Sequence, residues 1–278
     1  MTAQPATAGV TATSAAVVLT GVGKTFNQGS TSEVAALVDV DLSVAPGEFV
    51  ALIGPSGCGK STLMRLVGDL DSPTAGTVEV FGKSARQARL DQDYGIAFQH
   101  AGLLPWRTVL GNVELPLELH GGSRAGRRAR ATEMLELVGL GDFLKHRPHQ
   151  LSGGMQQRVA IARALAEQPK LLLMDEPFGA LDEMTRERMQ AELVKICATT
   201  GCAVIFVTHS IPEAVYLADR VVVMSARPGR ISAVIPIDLA ERDEDLREDA
   251  GFFAAVTAVR EALRGHEARV APRGVDLP

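Results

Sequence analysis

An eight-residue run, Gly54-Pro55-Ser56-Gly57-Cys58-Gly59-Lys60-Ser61, lies between the apolar stretch Phe49–Ile53 and the helix-patterned stretch Ser61–Val67. No other feature narrows the fold as much, because the run has chemical meaning only where a buried strand ends, the backbone turns sharply and a helix begins. Gly54, Gly57 and Gly59 let the backbone curl until successive N–H groups point inward, and the helix start adds partial positive charge to the same hollow. Lys60 can then reach the β- and γ-phosphates of a nucleoside triphosphate, while the Ser61 hydroxyl, with Thr62 beside it, suits magnesium. A plain glycine-rich turn would need neither the lysine nor the hydroxyls. Residues Gly54 to Thr62 are therefore the candidate site for ATP with Mg2+.

The rest of the chain reads as an α/β core built around that loop. Strand-like runs occur at Val17–Leu19, Val38–Val44, Phe49–Ile53, Thr77–Phe81, Ile96–Phe98, Leu171–Met174, Val204–Val207, Val221–Met224 and Ile231–Ile235. Several are too apolar to have a wet face, as in a sheet covered on both sides. Between Phe98 and Leu171 the period becomes helical, at Leu110–Leu119, Arg127–Val138 and Met155–Ala166, which reads as a helical subdomain inserted into the core. With 278 residues, 46% of them apolar, one large domain with such an insertion can bury a sizeable core. No apolar run approaches the roughly 20 residues of a membrane span, so a membrane role requires a partner.

Residues 1–16 lack the basic start and dense apolar centre of a secretory signal and read as a disordered tail. Asp238–Asp249 reads as a solvated acidic connection, followed by an amphipathic helix around Phe252, Phe253, Val256, Val259 and Leu263 that is expected to pack on the domain. The net charge of −5, with no basic stripe, gives no reason to expect a nucleic-acid partner. Three cysteines without metal-ligand spacing, one of them inside the phosphate loop, favour a reducing cytosol.

A second chemical element is Leu171-Leu172-Leu173-Met174-Asp175-Glu176-Pro177. It places two carboxylates at the C-terminal end of a buried strand, where ligands collect in open parallel sheets. Asp175 suits the magnesium shell, and Glu176 suits a general base for an attacking water. Alone, the pair would also fit a strand ended by a polar turn; the phosphate loop upstream favours chemistry.

Leu151-Ser152-Gly153-Gly154-Met155-Gln156-Gln157-Arg158 precedes this pair, Gly179-Ala180-Leu181-Asp182 and then His209 follow it, and Gln99 stands between the two phosphate-site elements. In that order the set resembles the ATP-binding-cassette (ABC) family from Val17 to Ile235. The resemblance implies a P-loop ATPase core with a mixed sheet, an antiparallel β subdomain and an inserted α-helical subdomain at about 100–168, all within 17–237, with 238–278 as connection and C-terminal helix. It further implies that Ser152, Gly153 and Gly154, with Gln156 nearby, act in trans on ATP held by a second copy in a head-to-tail dimer. Their place at a helix start gives them the N–H groups of an anion site.

By the same resemblance Asp182 contacts the opposing phosphate loop, His209 senses the γ-phosphate, and Gln99 joins Ser61 and Asp175 around magnesium. Glu176, His209, Lys60 and Gln99 are then the candidate catalytic set. A lone histidine would more often be structural; its place in the set supports the functional reading. Phe26 stands where the family has an adenine-stacking aromatic, and a core phenylalanine is the other reading. Met155 stands where many members have glutamine, which leaves open whether Gln156 takes that role.

The stretch His100–Val109 with Asn112-Val113 looks like the importer version of the segment that meets a membrane partner. Trp106, the sole tryptophan, is there either an interface anchor or a partly buried core residue. Pro177–Asp182 and Met224–Ile231 resemble importer ATPases for nitrate, sulfonates and taurine. The leading expectation is the ATPase subunit of an importer, peripheral on the cytoplasmic face of the membrane, working with permease subunits and, indirectly, a solute-binding protein. An exporter or lipid-trafficking ATPase, a soluble cassette ATPase acting on DNA or ribosomes, and a non-hydrolysing module are the alternatives. Long coiled-coil insertions or a second cassette would favour the soluble class and are absent, and Glu176 with His209 argues against a module that does not hydrolyse.

Overall fold

The computed structural model describes residues 15–239, 242 and 245–270. Part of the expected N-terminal tail, residues 1–14, lies outside them, as do 240, 241, 243 and 244 of the acidic connection and the last eight residues, 271–278. The chain runs β1 (Val17–Phe26), β2 (Val34–Val44), β3 (Phe49–Ile53), α1 (Lys60–Val67), β4 (Ala75–Val80), β5 (Lys83–Ser84), α2 (Ala85–Leu90) and β6 (Tyr94–Ala97). A helical section follows, with α3 (Val109–Leu119), α4 (Arg124–Leu137) and α5 (Gly153–Leu165). Then come β7 (Leu171–Asp175), α6 (Glu183–Thr200), β8 (Ala203–Val207), α7 (Ile211–Leu217), β9 (Arg220–Met224), β10 (Ile231–Pro236) and α8 (Ala250–Val270).

Among the described residues the strands form two sheets, one in the order β2-β1-β4-β5 and one in the order β10-β9-β3-β8-β7-β6. The second is mixed: β6, β7, β8, β3 and β9 run parallel, and β10 pairs antiparallel at the edge. The uninterrupted apolar strands are those buried on both faces. In β3, Phe49, Ala51 and Ile53 enter one core while Val50 and Leu52 enter the other, and β7 and β8 divide in the same way. The first sheet is wholly antiparallel and has one wet face, so β2 alternates buried Val40, Leu42 and Val44 with exposed Asp39, Asp41 and Ser43.

Three differences from the sequence reading have physical reasons. Strand β1 continues to Phe26, well past Leu19, through register shifts next to Gly21, whose φ is 56°. The bulged course breaks the alternation that marks a strand. The two-residue β5 and the short α2, capped by Ser84 accepting from the Gln87 N–H, carry too few residues for a periodic signal. In α8, Phe252, Val256 and Val259 are buried at i, i+4, i+7, whereas Phe253 falls off that face and is 58% exposed.

Phe252→Ala should therefore lower the unfolding free energy by about 3 kcal/mol, as for other buried aromatics. Phe253→Ala should change it by less than about 0.5 kcal/mol, and urea denaturation of the two variants checks the contrast.

Candidate functional site

Strand β3 delivers the chain into the loop at Gly54, and the turn is made by Gly57 and Gly59 at φ 74° and 104°. At Gly59 even a methyl group would sit 2.6 Å from Leu37 Cδ2, so strand β2 presses on the loop from behind. No side chain caps α1, which leaves its first N–H groups available to an anion. Lys60 is buried and its ammonium donates to the Gly54 and Pro55 carbonyls at 2.8 and 3.0 Å, folded back on its own loop. Cys58 is the loop member turned away: its thiol is fully buried and its N–H bonds to the Pro55 carbonyl. The Cys58 side chain therefore packs beneath the loop and does not line the cleft above it.

A cleft of about 580 Å³ opens over the loop, floored by Ser56, Gly57, Gly59, Lys60, Ser61 and Thr62. Gln99, Glu176 and His209 form one wall, and Phe26 with Val34, Ala36 and Arg227 forms the other. Phe26, at the end of β1, is 38% exposed, so it is a cleft residue and not a core one. Arg227 lies in the stretch Met224–Ile231 singled out above but was not expected in the cleft.

At the strand end, Asp175 is buried, and burial raises its carboxyl pKa above the usual range while a hydrogen bond from Ser61 opposes that shift. Ser61, Asp175 and the amide oxygen of Gln99 are hard oxygen donors, few enough that Mg2+ would keep waters and substrate phosphates in its shell. A cation there would offset the cost of burying the carboxylate, so the residues fit the ion.

Glu176 has a φ of 46°, a left-handed conformation rare outside glycine. Its N–H donates to the Val207 carbonyl at 2.8 Å, which anchors this turn to β8. One carboxylate oxygen, Oε2, accepts from Gln99 Nε2 at 3.2 Å and lies 3.2 Å from His209 Nδ1. Three loops, after β6, β7 and β8, thus converge on a single oxygen atom.

Ser152, Gly153, Gly154, Gln156 and Asp182 do not line this cleft. Ser152 caps α5 by accepting from the Met155 N–H, and a Cβ on Gly153 would meet nothing within 4 Å, whereas one on Gly154 would sit 3.1 Å from the Ala180 carbonyl, so the helix start is open at Ser152 and Gly153 and closed behind Gly154. Gln156 turns back on its own loop, donating to the Pro148 and Leu151 carbonyls. Asp182 caps α6, and the Thr185 N–H bond holds its carboxyl below the usual range.

Sequence reasoning missed the residues that fix the loop after Gln99. Gln157, 2% exposed, donates to the Phe98 carbonyl at 2.9 Å. Arg163 grips the Ala101 and Gly102 carbonyls, and buried Asn112 bonds the Leu104 N–H and the Leu104 and Thr108 carbonyls. Polar residues on the buried faces of α5 and α3 were the available signal. Pinned at both ends, the loop leaves Trp106 67% exposed, which excludes the core reading.

Comparison with known proteins agrees with this geometry. Residues 37–179 match the family model described as ABC transporter. The chain is 45% identical over 246 residues to the nitrate import ATP-binding protein NrtD of Synechocystis sp., covering 86% of this chain and 92% of that protein. It is 47% identical over 212 residues to the taurine import ATP-binding protein TauB of Yersinia pestis bv. Antiqua, covering 74% and 80%. A dimeric post-hydrolysis structure of an ATP-binding cassette bound to ADP and Pi superposes with a TM-score of 0.74 at 38% identity, covering 80% of this chain and 99% of that one. The two-sheet core with its inserted helices, the phosphate loop and the acidic strand end are those of a cassette, and the chain belongs to the ABC transporter family.

Proposed function

We propose that this chain is the ATP-hydrolysing subunit of an importer, two copies of which close on two ATP molecules and drive a separate permease. One observation carries the reading: a phosphate cleft complete in Phe26, the loop, Gln99, Glu176 and His209 coexists with a second helix start that lies outside that cleft and is exposed at Ser152 and Gly153. A site split between two faces of one chain is completed by a second copy, and the ADP-bound relative is dimeric. Residues 17–237 would be the ATPase unit, its helical subdomain at about 100–168, with 238–278 a connection and C-terminal helix.

In this reading ATP stacks on Phe26 and lays its phosphates on the N–H groups of Gly57 to Thr62, with Lys60 exchanging its carbonyl partners for phosphate oxygens. Mg2+, held by Ser61, Gln99 and Asp175, would neutralise charge on the phosphates. Glu176 takes a proton from the attacking water, and His209 and Gln99, both already on its Oε2, orient it toward the γ-phosphate. Ser152, Gly153, Gly154 and Gln156 of the second copy cover that phosphate, and Asp182 meets the opposing loop. Closure is then tied to nucleotide occupancy.

Trp106, on a loop held by Gln157, Arg163 and Asn112, would be the anchor for the permease. The relatives named for nitrate and taurine import support a small solute of the nitrate, sulfonate or taurine kind, and a solute-binding protein would deliver it. Among the described residues no helix is long and apolar enough to cross a membrane, consistent with a peripheral position on the cytoplasmic face.

Glu176→Gln should cut ATP turnover by about 10²–10⁴-fold while leaving nucleotide affinity intact, and gel filtration should find an ATP-trapped dimer; undiminished turnover sinks the assignment of the base. Ser152→Arg should keep nucleotide binding by the isolated chain yet abolish turnover, and a loss of binding would show that this helix start acts within its own chain. Trp106→Ala should leave basal hydrolysis unchanged and lose stimulation by the permease in reconstituted vesicles.

A further inference from the structure

His209 is flanked by a buried polar chain that ends on the C-terminal segment. Thr208, immediately before it, is buried, and its hydroxyl donates to Glu213 Oε2 while accepting the N–H of Ser210, immediately after it, at 3.0 Å. Glu213 Oε1 accepts from Gln190 Nε2 at 2.8 Å, and Gln190 Oε1 accepts from the Arg247 guanidinium. Glu213 is 6% exposed and Gln190 2%. Arg247 is itself held from two sides, stacked 4.1 Å over the Tyr216 ring and 3.6 Å from Glu187.

The polarity of this chain is dictated by its ends. Arginine only donates and a carboxylate only accepts, so the amide of Gln190 has a single consistent orientation between them. Packing at the junction of α6, α7 and β8 would be served by apolar side chains, and a buried carboxylate costs stability unless its bonds are all made. The position of those bonds is informative: they hold the Thr208 hydroxyl just before His209 and the Ser210 N–H just after it, and His209 Nδ1 meets the Glu176 carboxylate.

We propose that Arg247, Gln190 and Glu213 are positioning residues for His209, through which the segment Asp245–Glu248 governs the hydrolytic step. The proposal rests on the reading of His209 given above. Withdrawal of Arg247 frees the Gln190 amide, loosens Glu213 and Thr208, and lets His209 leave Glu176 without disturbing the nucleotide-binding loop. A partner that engages the C-terminal segment thereby gains control of hydrolysis rather than of ATP affinity.

The test is a double-mutant cycle on the full chain, with single-turnover and steady-state ATP hydrolysis and a urea midpoint for each variant. Arg247→Ala should lower kcat about 3- to 10-fold with an unchanged KM for ATP, and have no further effect in the His209→Ala background. Arg247→Lys should recover part of the loss, and Gln190→Met, close in shape but without donor or acceptor, should reproduce it. An equal loss with and without His209, a rise in KM that accounts for the effect, or no loss at all overturns the relay. An undiminished rate in His209→Ala overturns instead the role of His209, and the relay with it.

Discussion

The site depends on the parallel pairing of β3, β8 and β7. Their register puts Leu52 and Asp175 both opposite Val207, so the three strands end in one row. Three parts of the site leave from that row: the phosphate loop after β3, the acidic pair at the end of β7, and the histidine loop after β8. A parallel sheet buried on both faces requires apolar side chains pointing both ways, and these strands supply them without a break. Burial makes register costly to change, because slipping one residue would move each side chain into the opposite core.

A second level of order lies in how the loops are held once they leave the sheet. The Glu176 N–H spends its bond on Val207, and Thr208 donates its own N–H to Leu52, so two of the loops are stitched across the strands they follow. The loop after β6 gets its support from the helical section, through Gln157, Arg163 and Asn112. The helices α3 and α5 are thereby bonded to the loop that carries Gln99, and Gln99 to the Oε2 of Glu176. A short run of bonds thus lies between the exposed loop at Trp106 and the carboxylate in the cleft.

Much of this was legible in the sequence because local chemistry and local structure coincide there. Gly54–Ser61 can be read because the φ values, the lysine and the helix start are all set within eight residues. The strands β3, β7 and β8 can be read from their lack of polar residues. What escaped was decided at a distance. Cys58 faces inward because α1 and β2 close over it, and Glu213, Gln190 and Arg247 meet from three separate segments. The neighbours Gln156 and Gln157 differ by one step around α5: the first braces its own loop, the second reaches the loop that follows β6. Nothing in their order foretells which does which.

The placement of Trp106 has an optical consequence. As the sole tryptophan, it dominates the near-ultraviolet emission of a chain with two tyrosines, and that emission arises from one exposed loop. The cores contribute only what Tyr94 and Tyr216 emit. Fluorescence therefore sees the surface where a partner would dock and the strut leading to Gln99, and remains largely blind to the packing of either hydrophobic core. Folding and coupling, which most proteins report through the same chromophore, are separable here by choice of wavelength and probe.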